Sequence, residues 1–145
     1  MLIYNENNEV IDSTNNRINW ISVSIKEKLT ELFIEKYQNY VHWYDISRYQ
    51  TLSEPFIEKF KDKVHWLNIY TYQIISGPFI QKYKNEINWN YIVIYQKLSE
   101  PFIEKFEYNF NWYFISKYQK LSEPFIEKFQ NKVEWYFISK YQTLS

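Results

Sequence analysis

Apolar positions along this chain fall into two short blocks that alternate and return every 23 residues. In residues 122–130, Phe125, Ile126 and Phe129 are spaced to share one face of a helix. Ser122 ahead of them suits a cap, its hydroxyl accepting from a free N–H. Pro124 sits in the first turn, where N–H groups need no intrahelical partner. Glu123 near the start and Lys128 near the end both suit the helix dipole. This block predicts a helix, termed helix A.

The second block, residues 134–139, reads EWYFIS and has strong β propensity. Its pattern of repetition points the other way. Counting from tryptophan as place one, Trp, then Ile or Val at place four, and Gln or Glu at place eight recur, while places two, three and six drift. Fixed residues at i, i+3 and i+7 are helix spacing; a strand would fix alternate residues. Asn131 with Glu134 also resembles the start of a capping box. The expectation is a helix B. The alternative is an α/β solenoid with a strand in its place, since leucine-rich repeats have similar periods, although their consensus and its asparagine are absent.

The period is marked by Trp20, Trp43, Trp66, Trp89, Trp112 and Trp135, expected as structural core. Repeats span 20–42, 43–65, 66–88, 89–111 and 112–134, with a partial one over 135–145. LSEPFIEKF recurs verbatim from Leu52, Leu98 and Leu121. The predicted fold is all-α, an α-solenoid of 23-residue helix-turn-helix repeats. Helices of about eight to ten residues do not persist alone in water, so stability must come from stacking. Trp112, Ile115, Phe125, Ile126, Phe129 and Val133 should form one layer of the core. The glutamines at place eight, Gln50, Gln73, Gln96, Gln119 and Gln142, should form a ladder of amides bonding backbone groups.

Residues 1–19 look like a degenerate N-terminal cap, with Val10 and Ile11 where Phe and Ile sit in later repeats and Ile18 where Val sits. At the far end, Thr143, Leu144 and Ser145 stop on the capping serine of a helix A. Either the last helix B is the cap, or the array continues in a dimer or a longer chain.

Composition narrows the function classes. Lys+Arg and Asp+Glu are both 17 in 145 residues, so no basic excess draws a phosphate backbone or an anionic membrane. There is no cysteine for thiolate chemistry or disulfides. The start, MLIYNENNEV, lacks a basic, apolar secretory pattern, and no run approaches a membrane span. An intracellular protein is the expectation. Aromatics at 22% must be buried or stacked on one another.

No catalytic, cofactor-binding or metal-binding residue is predicted. His42 and His65 share a repeat place, but stacked units about 9–10 Å apart hold two imidazoles too far apart for one ion. Glu58, Glu104 and Glu127 form a column beside Lys59, Lys105 and Lys128 and read as solvated helix faces. The single glycine, Gly77, excludes a glycine-rich phosphate loop. Tyr113, Phe114, Tyr136 and Phe137 could stack bases, yet only Arg17 and Arg48 supply guanidinium groups, so nucleic acid is the third reading.

A frame with drifting places suits a binding surface. The drifting residues are Tyr44, Asp45, Arg48, Leu67, Asn68, Thr71, Asn90, Tyr91, Ile94, Tyr113, Phe114 and Lys117. Tyr70, Ile74, Val93 and Tyr108 join them as departures from the local pattern that suggest an exposed apolar patch. Exposed aromatics among polar groups suit a protein interface.

The motif W-x-x-IS-x-YQ-x-LSEPFIEKF, best seen from Trp112 to Phe129, resembles short tandem repeats in uncharacterised proteins of giant DNA viruses and some phages. The resemblance covers residues 20–145. It implies a viral repeat protein in the host cytoplasm, in keeping with an alanine-free composition typical of AT-rich coding. The first repeat departs from the motif, with Leu32 for Pro and Lys26 for Tyr. The leading functional expectation is a non-catalytic scaffold that binds another protein or itself. The alternative is a small-ligand or nucleotide-binding viral counter-defence protein.

Overall fold

The computed structural model describes residues 3–4, 10–11 and 18–142, and the chain forms two compact units, Met1–Gln73 and Ile74–Ser145. The first unit carries strands β1 (Ile3–Tyr4) and β2 (Val10–Ile11), then helices α1 (Trp20–Lys26), α2 (Glu31–Lys36), α3 (Trp43–Tyr49), α4 (Glu54–Lys59) and α5 (Trp66–Tyr72). The second carries α6 (Gly77–Lys82), α7 (Trp89–Tyr95), α8 (Glu100–Lys105), α9 (Trp112–Tyr118), α10 (Glu123–Lys128) and α11 (Trp135–Tyr141). Odd-numbered helices are of type B and even-numbered helices of type A. Apart from the β1–β2 pair, each unit is an all-α solenoid stack in which B helices lie side by side, α1 on α3 on α5 and α7 on α9 on α11.

The predicted N-terminal cap lies mostly outside the described residues. Its described part is an antiparallel pair with Ile3 opposite Ile11 and Tyr4 opposite Val10. Val10 and Ile11 are thus in a strand, not in a helix A like their counterparts in later repeats. Thr143 to Ser145 also lie outside the described residues.

The A helices start as their sequence dictates. Thr30, Ser53, Ser76 and Ser122 each accept from the N–H three residues on, and Pro follows in the first turn wherever it is present. The B segment is helical in all six cases, which settles the helix-or-strand alternative. Its start differs from the expected capping box. Glu134, extended at φ −87° and ψ 99°, precedes α11, while Asn131 lies in the turn closing α10. That turn is held by Phe129 C=O accepting from Lys132 and Val133, so residues 130–133 are not free to begin a helix.

The deepest core is built from isoleucine. Ile34, Ile46, Ile57 and Ile69 in the first unit are fully buried, as are Ile80, Ile92, Ile103, Ile115 and Ile138 in the second. Around Ile115 pack Phe125, Ile126, Phe129, Val133 and also Leu121, much as the repeat pattern predicts. The tryptophans depart from expectation. Trp20, Trp43, Trp66, Trp89 and Trp112 are half-buried, and Trp135 is 55% exposed. Indole is too large and too polar at one edge to vanish into so thin a layer. Trp43 rests on Phe56 and Phe60 of the following A helix, and its Nε1–H donates to Gln38 C=O at 2.9 Å. Trp112 rests on Phe125 and Phe129 in the same way. No A helix follows Trp135 among the described residues, which leaves its ring uncovered.

Polar columns tie neighbouring repeats together. The Gln50 side chain accepts from Leu29 N–H at 2.9 Å and donates to Ser24 and Glu27 carbonyls at 2.9 and 2.8 Å. Gln73 repeats this against Leu52, Ser47 and Gln50. Gln119 does so against Leu98, Val93 and Gln96, and Gln142 against Leu121, Ser116 and Gln119. The last carbonyls of a helix have no intrahelical donor, so each glutamine caps the B helix before it. The predicted ladder exists, and this is its physical reason.

Serine at place five forms a second column that the sequence reading passed over. Ser116 donates to Trp112 C=O at 2.8 Å and accepts from Glu134 N–H at 2.9 Å; Ser24 and Ser47 do the same one repeat apart. Ser116→Ala orphans a backbone donor and is expected to lower stability by about 1–2 kcal/mol in urea titration. A change near zero would show that water replaces the hydroxyl there.

Candidate functional site

The outer face of the B helices carries the most exposed aromatic surface in register. Tyrosine stands at place seven from the second repeat onward. Tyr49 and Tyr72 in the first unit, and Tyr95, Tyr118 and Tyr141 in the second, are each 43–50% exposed. Four residues before three of them another ring stacks: Tyr91 on Tyr95, Phe114 on Tyr118 and Phe137 on Tyr141, with centroids 6.0–6.2 Å apart. Helical i, i+4 spacing brings these pairs together.

Cations sit between the rings. The Arg48 guanidinium lies 5.1 Å from both Tyr49 and Tyr72. Lys117 Nζ lies 5.0 Å from Tyr118, 5.7 Å from Phe137 and 5.8 Å from Tyr113. Lys140 lies 5.4 Å from Tyr141 and 5.5 Å from Tyr136. Such geometry is favourable for a cation over an aromatic face. Tyr49, then Tyr72, push the Arg48 guanidinium further up, and hydrogen bonding to Tyr118 raises Lys117.

A shallow depression recurs beside this row. In the first unit it measures about 480 Å³ and runs from Ile25 through Glu31 to Tyr49, Gln50 and Thr51. In the second it measures about 220 Å³ and is lined by Lys117, Tyr118, Gln119, Lys120, Tyr141 and Gln142. The first mixes both signs of charge; no carboxylate lines the second.

The surface expected from the drifting places is partly there. Tyr44, Leu67, Asn90, Tyr91 and Tyr113 are exposed, Arg48, Ile94 and Phe114 are half-buried, and Ile74 is 95% exposed. Asp45, Asn68, Tyr70 and Val93 are buried, contrary to expectation. Asp45 turns in to meet His42 Nδ1 at 2.7 Å, and Asn68 donates to Tyr44 C=O at 2.9 Å. Tyr70 and Val93 stand at place five, the buried place that serine holds in the neighbouring repeats. The place-seven tyrosines were missed because only the drifting places were taken as candidate surface, and tyrosine recurs at place seven from the second repeat onward. The signal was available: places two and six lie on the same outer side and drift, so a fixed tyrosine between them is not explained by packing alone.

Elsewhere, charges on helix A and on the turn after it pair across repeats. Lys59 meets Glu35, Lys128 meets Glu104, and Lys132 meets Glu107 at 2.7 Å, holding the Glu107 carboxyl below its usual range. Glu100 accepts from both the N–H and the hydroxyl of Ser122. Within the predicted Glu and Lys columns, Lys59, Glu104 and Lys128 thus form diagonal ties between repeats while staying exposed. His42 is held by Asp45, whereas His65 Nδ1 is buried without a hydrogen-bond partner, its ring edge-on to Tyr44. Among the described residues no three His, Cys, Asp or Glu side chains converge as a metal site. Nor is any described helix long and apolar enough to cross a membrane. No protein-family model, curated protein or solved structure matches the chain.

Proposed function

We propose that the protein is a non-catalytic scaffold that binds another protein through the outer face of its B helices. The observation that carries this reading is the half-exposed place-seven tyrosines of each unit, beside Arg48 in the first and beside Lys117 and Lys140 in the second. Tyrosine and arginine are enriched among the residues that carry interface energy; tyrosine combines large apolar area with a polar tip and few torsions to fix, and arginine adds a planar fork of donors. Side-by-side helices hold the rings rigidly, which lowers the ordering cost of association. The resemblance to viral tandem repeats supports placing the encounter inside an infected cell.

Selection from a random peptide display library on the immobilised chain tests the reading. Enriched peptides should bind the parent and lose about tenfold or more in affinity for a Tyr95→Ala/Tyr118→Ala/Tyr141→Ala variant with unchanged circular dichroism. A selection that enriches equally on parent and variant removes the reading. A dimer of the chain that dissociates in the variant supports it, with a second copy as the partner.

A further inference from the structure

We infer that the row on α7, α9 and α11 receives an extended acidic segment of the partner protein, with carboxylates spaced about three residues apart. The inference rests on the scaffold reading and names the chemistry of its partner.

Charge is the first argument. The segments WNYIVIY, WYFISKY and WYFISKY contain no acid. The positive groups of this surface are Lys97, Lys117, Lys120 and Lys140, and no salt bridge within the described residues involves them. Three of this unit's seven acids are engaged elsewhere: Glu104 and Glu107 pair with Lys128 and Lys132, and Glu100 caps Ser122. Lys117 and Lys140 over tyrosine rings, with Lys117 and Lys120 lining a depression that has no carboxylate in its lining, complement a negative ligand. The first unit's depression, with Glu27 and Glu31 in its lining, offers no such bias.

Spacing is the second argument. Lys97 and Lys120 are one repeat apart, as are Lys117 and Lys140. Packed helices lie about 8–10 Å apart, and an extended chain advances about 3.3 Å per residue. A partner strand crossing the B helices therefore meets a new lysine about every third residue.

Ring availability is the third. Tyr118 and Tyr141 each already hold a stacked ring and a cation. What they offer outward is edge and hydroxyl, which suits carboxylates and peptide groups better than intercalating bases, whose binding needs an open face.

Fluorescence anisotropy on the full chain provides the test. The probes are a labelled peptide of about ten residues with glutamate at every third position, an isomer with its glutamates consecutive, and an oligothymidylate of equal charge. The spaced peptide should bind most tightly. Its affinity should fall about tenfold in Lys97→Gln/Lys117→Gln/Lys120→Gln/Lys140→Gln, as several weak exposed ion pairs combine. It should hold in Lys82→Gln/Lys84→Gln/Lys105→Gln/Lys128→Gln, which has the same net charge and alters the A helices and the turn after α6. Equal loss in both variants, equal binding of the two peptides, tighter binding of the oligothymidylate, or no binding of the spaced peptide overturns the inference. If display-selected peptides depend on the tyrosines yet ignore the four lysines, the acidic partner falls and the scaffold remains. If nothing depends on the tyrosines, both fall.

Discussion

Replacing Gln119 with alanine should lower the stability of the chain by about 3–5 kcal/mol, more than most surface-facing polar changes. The side chain is buried and makes three bonds at once, accepting from Leu98 N–H and donating to Val93 and Gln96 carbonyls. Alanine removes all three bonds and leaves the Leu98 donor and the Val93 and Gln96 acceptors without them. Each such orphan costs about 1–3 kcal/mol, against a total folding stability of only about 5–15 kcal/mol for an ordinary domain. Gln142, half-buried and with one of its three bonds long at 3.5 Å, serves as the milder comparison. Urea titration of both variants reads the difference, and hydrogen exchange should show the Leu98 amide losing protection in Gln119→Ala.

Gln119→Glu sharpens the test. At neutral pH a carboxylate oxygen would face the Val93 and Gln96 carbonyls in place of a donor. The fold then disfavours the charged form, so this carboxyl would titrate higher in the folded state than in the unfolded chain, where it titrates near about 4.3. Its penalty is full above the folded-state value and is relieved as pH falls toward about 4. A variant whose deficit against the parent does not shrink on acidification contradicts the donor role.

The second large effect concerns the indoles. Trp112→Ala should cost about 3–4 kcal/mol, whereas Trp135→Ala should change stability by less than about 1 kcal/mol. Both residues begin a WYFISKY helix, so local propensity is the same. Their surroundings differ. Trp112 has ring centroids 4.8 Å from Phe129 and 6.3 Å from Phe125, and its Nε1–H donates to Glu107 C=O at 3.3 Å. Trp135 is 55% exposed. Chemical denaturation of the two variants decides the matter; equal costs would mean that the helix itself, not the ring on its phenylalanine shelf, needs the tryptophan.

Much of the architecture is legible because repetition supplies replicate readings of one pattern. Helix A follows from Ser122, Pro124 and the Phe125, Ile126, Phe129 face, and the structure starts α10 at the residue after that serine. Helix B is read from Trp112, Ile115 and Gln119 despite the β propensity of WYFIS, because stacked neighbours override local preference. Periodicity shows which residues are held in place, without separating a residue held for packing from one held for exposure. Tyr118 and Ile115 recur with similar regularity, yet one is 43% exposed and the other fully buried.

The chain alone determines the period, the order of the two helix types, the caps of helix A and the amide column at place eight. All of these depend on residues close in sequence or on a spacing that repeats. Tertiary structure decided that isoleucine, not tryptophan, fills the centre, and that Asp45, Asn68, Tyr70 and Val93 turn inward while the tyrosines at place seven stay out. Those outcomes depend on which side of a B helix meets the next one, a distance of 23 residues along the chain that no local pattern encodes.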